Sequence, residues 1–179
     1  DAARRSAGAA VAAVEHAIEG REGVPYALAR PSGHHAQSDA ADGFCFFNNA
    51  AIAAQRAIDD GLDRVAVVDW DVHHGNGTQE IFEDRADVLY VSVHNDHGSW
   101  HPEYHPQTGA LDEDGVGDGE GYTVNVPVPS GTGDRGYERV FDELIEPVVA
   151  AYDPGLVVYS AGQDPGPSDP LGRNLVTRE

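Results

Sequence analysis

The sequence predicts an α/β fold in which helices cover both faces of an open parallel sheet. Predicted helices and short strands alternate along the chain, and most of the predicted strands are continuous apolar runs. A strand without a polar side is typical of a parallel sheet that lies between two helical layers. The length of 179 residues is suitable for one domain.

The elements are predicted from hydrophobic periodicity and from residues that end or cap helices. The first helix has Val11, Val14 and Ile18 on one stripe, at the spacing of a helical face. Gly61 closes the second helix, and Asp134 is the predicted cap of the last one. The predicted helices are 1–20, 49–60, 78–82 and 137–151, and the predicted strands are 26–29, 64–69, 88–93, 122–126 and 156–159.

The chain is strongly acidic, with 31 Asp and Glu residues, 11 Arg residues, no Lys and a formal net charge of -20. Such a charge repels phosphates and anionic lipids, so we expect no direct contact with nucleic acid or membranes. The surface could attract cations, or the composition could reflect adaptation to a salty, halophilic cytoplasm. The even spread of the charges along the chain favours adaptation to salt.

Other features of composition indicate a cytoplasmic protein. No apolar run reaches the length of about eighteen residues that a membrane helix needs, and no secretory signal opens the chain. Cys45 is the single cysteine, which excludes an intrachain disulfide. The segment 98–121 is a long predicted loop rich in Gly, Pro, His and acidic residues, and loops of this length are usually functional or disordered.

Polar clusters follow three of the predicted strands. Ligands bind outside the carboxyl ends of strands in open α/β sheets, so we expect the three clusters to converge on one site. They consist of His34 and His35, then Asp69, Asp71 and His73, and finally Asp164.

The second and third clusters indicate a metal site. If the strand stays extended, Asp69, Asp71 and His73 point the same way, and Asp71 with His73 offers two ligands to one ion. Asp164 could supply a third ligand, leaving positions on zinc for water and a carbonyl oxygen. Two purely structural roles are the alternatives to metal binding. Asp69, Asp71 and His73 could form a hydrogen-bonded strand end, and Asp164 could belong to a turn, since 162–166 is a turn sequence.

The histidine pair is a less specific sign of a functional site than the metal-ligand clusters. Adjacent histidines point in different directions, so His34 and His35 are expected to flank a bound water and to tune its protonation. Each needs a partner that fixes its tautomer, and Asp69 and Asn76 are available for this. The alternative is an ordinary polar loop after Pro31.

Taken in order, these motifs resemble the histone deacetylase superfamily. Asn76, where many members have Asp, makes the chain resemble the class II and acetylpolyamine amidohydrolase branch. The similar segments are RPSGHHA (30–36), GFCFFNN (43–49), VDWDVHHGNGT (68–78), YTVNVP (122–127), SAGQD (160–164) and DPLG (169–172).

The resemblance implies an arginase/deacetylase-like fold and a zinc-dependent amidohydrolase that removes an acetyl group from acetyl-lysine or an acetylated polyamine. It implies that Asp71, His73 and Asp164 bind Zn²⁺. It also implies that His34 pairs with Asp69 and His35 with Asn76. In these roles His35 is the expected general base and then acid, and His34 supplies mainly electrostatic stabilisation.

The resemblance further implies a substrate tunnel and a structural ion. Gly43 and Phe44 would line the tunnel, although Phe44, Phe46 and Phe47 could instead be core residues. His105 stands where many members have an aromatic wall residue, which would make the wall more polar. A monovalent cation such as K⁺ is expected at Asp69 and Ser92 with backbone carbonyls of Asp71, His73 and Val93.

The family's catalytic Tyr, in a Gly-Gly-Tyr context, has no counterpart in this sequence. We therefore expect 1–179 to be the central part of one catalytic domain, with a sheet incomplete at both ends, and this fragment to be inactive alone. An arginase-type ureohydrolase would need a further carboxylate where Gly75 stands. An inactive domain that binds acylated ligands is the other alternative, and nothing in the sequence predicts the oligomeric state.

Overall fold

A four-stranded, entirely parallel sheet forms the centre of the protein, as predicted. The computed structural model describes residues 1–96 and 106–177. The strands are β1 (Val65–Asp69), β2 (Val88–Asn95), β3 (Thr123–Val128) and β4 (Leu156–Ser160), in the spatial order β3-β2-β1-β4. Because β1 is central, its last residue, Asp69, is opposite Ser92 of β2 on one side and Ser160 of β4 on the other.

The helices agree with the predicted pattern and differ mainly at their ends. They are α1 (Ala2–Ile18), α2 (Asn49–Asp59), α3 (Asn76–Phe82), α4 (Asp134–Val140) and α5 (Glu146–Tyr152). A π-helical segment, Phe141–Ile145, joins α4 to α5, so 134–152 is one continuous helix. A short 3₁₀ turn, Gly117–Gly119, lies before β3.

Helices cover both faces of the sheet, which confirms the predicted layers. Alternate residues of a strand point to opposite faces, so each strand contributes to two separate cores. Buried alanines of α2 let that helix pack closely against the first face. The core on this face contains Val14, Ala54, Ala57, Val65, Val67, Phe82, Val88 and Tyr90, and the core on the other contains Ala66, Val68, Leu89, Val91, Tyr137, Ile145 and Tyr152.

Two local predictions are wrong. Residues 26–29 form no strand, and Tyr26 and Leu28 are 66% and 87% exposed. A short apolar run becomes a strand only beside a partner that accepts its backbone hydrogen bonds, and among residues 1–96 and 106–177 no strand pairs with it. Asp134 does not cap the last helix, since the cap is Gly133 and the Asp134 carboxylate accepts hydrogen bonds from the Thr177 backbone N–H and hydroxyl.

No helix within the described residues is long and apolar enough to span a bilayer.

We expect the stability of the protein to depend strongly on salt. Acidic side chains outnumber basic ones by 31 to 11. The resulting repulsion is screened as the Debye length falls from about 10 Å at 0.1 M to about 3 Å at 1 M salt. The melting temperature should therefore rise steeply from low to molar KCl. NaCl should give the same rise because screening depends on ionic strength, and a flat or falling curve would contradict the explanation.

Candidate active site

Three side chains from two segments form a candidate metal centre. The Nδ1 atom of His73 lies 2.9 Å from Asp71 Oδ1 and 2.8 Å from Asp164 Oδ2. One ligand atom from each residue can be chosen so that all three lie within 4.8 Å of one another. The second oxygen of Asp164 accepts the backbone N–H of Val72 at 2.9 Å, which fixes the Asp164 carboxylate to the turn that bears the other two residues.

The parallel sheet explains why these residues meet, although the local geometry differs from the expected one. Strands β1 and β4 are neighbours that end at the same edge, so the segments after Asp69 and Ser160 leave the sheet together. The strand does not stay extended past Asp69, because the Asp69 and Asp71 carboxylates accept the backbone N–H groups of Asp71 and His73. Asp69 consequently faces His34, whereas Asp71 and His73 face Asp164.

The histidine pair lies beside this centre, and each ring has the partner that was predicted for it. His34 Nδ1 is 2.8 Å from Asp69 Oδ2, and His35 Nδ1 is 2.6 Å from Asn76 Oδ1. All four side chains are buried. The two ring centroids are 4.1 Å apart, and the His35 centroid is 6.1 Å from that of His73.

The carboxylates strongly favour the charged forms of two of these histidines. Burial opposes the charge on His34, but Asp69 and Asp71 raise its pKa to about 10. Burial likewise opposes the charge on His73, but hydrogen bonds to Asp164 and Asp71 raise its pKa to about 9. A metal ion at this centre must displace the His73 proton, so the affinity for the ion should rise with pH up to about 9.

The pKa values of the Asp71 and Asp164 carboxyl groups shift in opposite directions because their surroundings differ. Burial alone would raise the pKa of the Asp71 carboxyl, but the charge of His34 and the hydrogen bond from His73 hold it well below its usual range. Burial raises the pKa of Asp164, and its hydrogen bond with His73 compensates only in part. A cation at this centre would favour the charged forms of both carboxylates.

A second buried polar network lies next to the metal centre, and no sequence pattern predicted it. Gln79 Nε2 donates to Glu113 Oε2 at 2.7 Å, and Gln79 Oε1 accepts from His74 Nε2 at 2.9 Å. His94 Nε2 donates to the Gly109 carbonyl oxygen at 2.9 Å. The only hint in the sequence was the presence of His74 and His94 within or beside apolar strands. The network attaches the segment 106–113 to α3 and β2.

Replacing Gly109 by Ala should destabilise the protein. Gly109 has φ +101°, and an added Cβ would lie 2.7 Å from His74 Cγ and 2.8 Å from His94 Nε2. We expect a loss of more than about 1 kcal/mol in the free energy of unfolding, measured by urea titration. Gly121→Ala is the matched control, because φ is +86° there and a Cβ would meet nothing within 4 Å. Equal losses in the two variants would show that the histidine contacts contribute nothing.

The substrate-binding role of Gly43, Phe44 and His105 stays a prediction. Gly43 and Phe44 both have positive φ, and Phe44 is 77% exposed beside the site. The alternative that the phenylalanines belong to the core is wrong, because Phe46 and Phe47 are also exposed and Cys45 is the residue that turns inward. His105 lies outside the described residues.

The expected monovalent-cation site stays a prediction. Asp69, Ser92 and Val93 are completely buried, and the strand register places Asp69 opposite Ser92. The Ser92 hydroxyl lies 2.9 Å from His94 Nδ1, so this face of the strand end is polar although no water reaches it.

Comparisons with known proteins agree with this arrangement. The family model "Histone deacetylase domain" matches residues 1–179. Histone deacetylase 8 of Arabidopsis thaliana is 49% identical over 99% of this chain and 47% of its own length. The crystal structure of the HDA15 HD domain has a TM-score of 0.91 at 47% identity, covering 98% of this chain and 51% of that one.

An acetylpolyamine aminohydrolase from Burkholderia pseudomallei is similar as well, with a TM-score of 0.86 at 47% identity over 96% of this chain and 48% of that one. The chain therefore belongs to the histone deacetylase family, and its sheet is of the arginase/deacetylase type. It spans about half the length of these three relatives.

Proposed function

We propose that the protein is a zinc-dependent amidohydrolase that removes an acetyl group from acetyl-lysine or from an acetylated polyamine. The observation that carries this proposal is the convergence of Asp71, His73 and Asp164 beside the hydrogen-bonded pair of His35 and Asn76. Family membership supports deacetylation as the reaction. Zinc and the identity of the substrate are our inference from the residues.

The residues fit zinc better than a harder cation. Zinc binds both carboxylate oxygen and imidazole nitrogen, and catalytic zinc sites have three protein ligands and a further position open for water or substrate. Mg²⁺ and Ca²⁺ prefer sites made of oxygen alone. When bound here, zinc would polarise the amide carbonyl and make water a better nucleophile near neutral pH.

His35 is the proposed general base and acid. Its Nδ1 faces the Asn76 amide oxygen, which can only accept, so the ring proton is on Nδ1 and the Nε2 atom is the basic nitrogen. That nitrogen can take a proton from the attacking water and return it to the leaving amine. A neutral amide partner orients the ring without adding the charge that would keep it protonated.

His34 is proposed to act through its charge. Its buried carboxylate partner, Asp69, lies 2.8 Å from His34 Nδ1 and raises the pKa of the ring. We therefore propose that His34 keeps its proton near neutral pH and is not the base. A cationic imidazole next to the reacting carbonyl would stabilise negative charge that develops on the oxygen. The two adjacent histidines thus have different chemistry because their partners differ in charge.

An acetylated polyamine keeps cationic amines, and a net charge of -20 would attract them. A ureohydrolase is not favoured, because Gly75 stands where its bridging carboxylate would be. The Asp71, His73 and Asp164 cluster is the one such ligand group found in the described residues.

The proposed function predicts that hydrolysis requires a metal ion. Acetate release from an acetyl-lysine peptide and from an acetylpolyamine should be measured with the whole protein that contains this chain, before and after removal of zinc with a chelator. We expect turnover of at least one of the two substrates, loss of turnover after chelation and recovery with Zn²⁺ but not with Mg²⁺. Turnover that survives chelation would contradict a zinc-dependent enzyme, and arginine hydrolysis would indicate the ureohydrolase instead.

A further inference from the structure

Behind the predicted pair of His35 and Asn76 lies a third residue. The Asn76 Nδ2 atom donates to Asp42 Oδ2 at 3.4 Å, and the backbone N–H of Gly43 donates to the other oxygen, Asp42 Oδ1, at 2.8 Å. Since Asn76 Oδ1 is 2.6 Å from His35 Nδ1, the amide of Asn76 joins a carboxylate to an imidazole. No motif or predicted role includes Asp42.

The backbone around Asp42 holds its carboxylate in place. Asp42 and Cys45 form an isolated antiparallel bridge, in which the Cys45 N–H donates to the Asp42 carbonyl at 2.6 Å. Gly43 has φ +48°, and a Cβ there would lie 2.1 Å from His35 Cδ2. The backbone of 42–43 therefore lies directly against the His35 ring, and Asp42 cannot move away without disturbing that contact.

The chemistry of the amide explains what such a carboxylate would do. An Asn side chain has an acceptor end and a donor end, and a half-turn about its last bond exchanges them. If Nδ2 faced His35, the ring would have to accept at Nδ1 and carry its proton on Nε2. A base must have Nε2 unprotonated, so this orientation of Asn76 would be unproductive.

We propose that Asp42 is a positioning residue that fixes the amide orientation of Asn76 and thereby the tautomer of His35. The inference rests on the proposed function, in which His35 is the base. A carboxylate accepts but does not donate, so it holds Nδ2 of Asn76 toward itself and leaves Oδ1 for His35. Asp42 contacts Asn76 and not His35 in this chain of hydrogen bonds. The His35 tautomer is therefore fixed without a carboxylate at Nδ1.

Asp42→Asn is the sharpest single test because it keeps the size of the side chain. Its amide has one acceptor oxygen, which can serve Gly43 N–H or Asn76 Nδ2 but not both. We expect turnover to fall about tenfold, in the range found for residues that orient ligands and bases, with KM and zinc content unchanged. Asp39→Asn, an exposed acid in the same segment, is the matched control and should have no effect.

The reciprocal exchange tests the direction of the hydrogen bonds. In Asp42→Asn/Asn76→Asp the amide at position 42 donates to the carboxylate at position 76, which still accepts the His35 Nδ1 proton. A carboxylate at position 76 favours the charged form of His35, so each variant is compared at its own pH optimum. There we expect the double variant to recover most of the lost turnover, whereas Asn76→Asp alone should not match the unmodified protein because two carboxylates then face each other. A double variant no better than the worse single variant would overturn the proposal.

The tautomer itself can be measured without any turnover. Nitrogen NMR of the neutral His35 ring should show the proton on Nδ1 in the unmodified protein and a mixture of tautomers in Asp42→Asn. A proton on Nε2 in the unmodified protein, or an unchanged spectrum in the variant, would overturn the role of Asp42. Absence of deacetylation in the unmodified protein would instead refute the proposed function and leave the NMR result to decide this inference.

Discussion

Replacing His73 by Ala is expected to abolish zinc binding and deacetylation together. The change removes the imidazole between Asp71 and Asp164, so two carboxylates remain close together without the group that separates them. Metal catalysis contributes several kcal/mol to such reactions, which corresponds to a loss of at least about 10³-fold in turnover. Zinc content by mass spectrometry should fall from one equivalent to nearly none.

His16→Ala is a suitable control, because that histidine lies on α1 and its ring contacts the Glu22 carbonyl oxygen at the surface. It should leave zinc content and turnover unchanged. If His73→Ala bound zinc as the unmodified protein does, the ligand set would be wrong, whatever happened to turnover.

Replacing His35 by Ala should separate turnover from metal binding. His35 contacts Asn76 and its ring lies near His73 without ligating in the proposed centre. A general base contributes about 10²–10⁴-fold, so turnover should fall by that factor while zinc content stays at one equivalent. KM should change little, since the ring acts on the water rather than on the substrate's remote part.

The comparison with His34→Ala decides which histidine is the base. Because the pKa of His34 is raised to about 10, its loss removes a charge that is constant over the neutral range. The pH profile of His34→Ala should therefore keep its rising limb, and that of His35→Ala should lose it. The reverse result would exchange the two roles.

Most of the fold could be predicted from the sequence because the sheet is parallel and buried. Runs such as 64–69 and 88–93 are apolar on both sides, and this is a physical requirement of strands between two helical layers. The exception, 26–29, is equally apolar, but whether such a run pairs depends on a neighbouring strand that local sequence does not specify. The π-helical segment at Phe141–Ile145 could not be predicted either, because the apolar residues around it have the spacing of an ordinary α-helix.

The site was predictable where it depends on strand ends and less so where it depends on side-chain contacts between distant segments. Asp71, His73 and Asp164 follow two strands that end at the same edge of a parallel sheet, and the strand order makes these two strands neighbours. Asp42 and Glu113 have no such periodic signal, because they contact Asn76 and Gln79, which lie 34 residues away in each case. The turn after Asp69 was also missed, because it is made by side chains that accept backbone N–H groups.

The most direct test of the central claim is a zinc titration of the whole protein that contains this chain, freed of metal first, with deacetylation measured at each point. We predict that turnover rises linearly, reaches its maximum at one equivalent of zinc and does not increase further. The same titration of His73→Ala should stay at background. Full turnover without added zinc, or a maximum that requires two equivalents, would contradict a single-ion deacetylase centre at Asp71, His73 and Asp164.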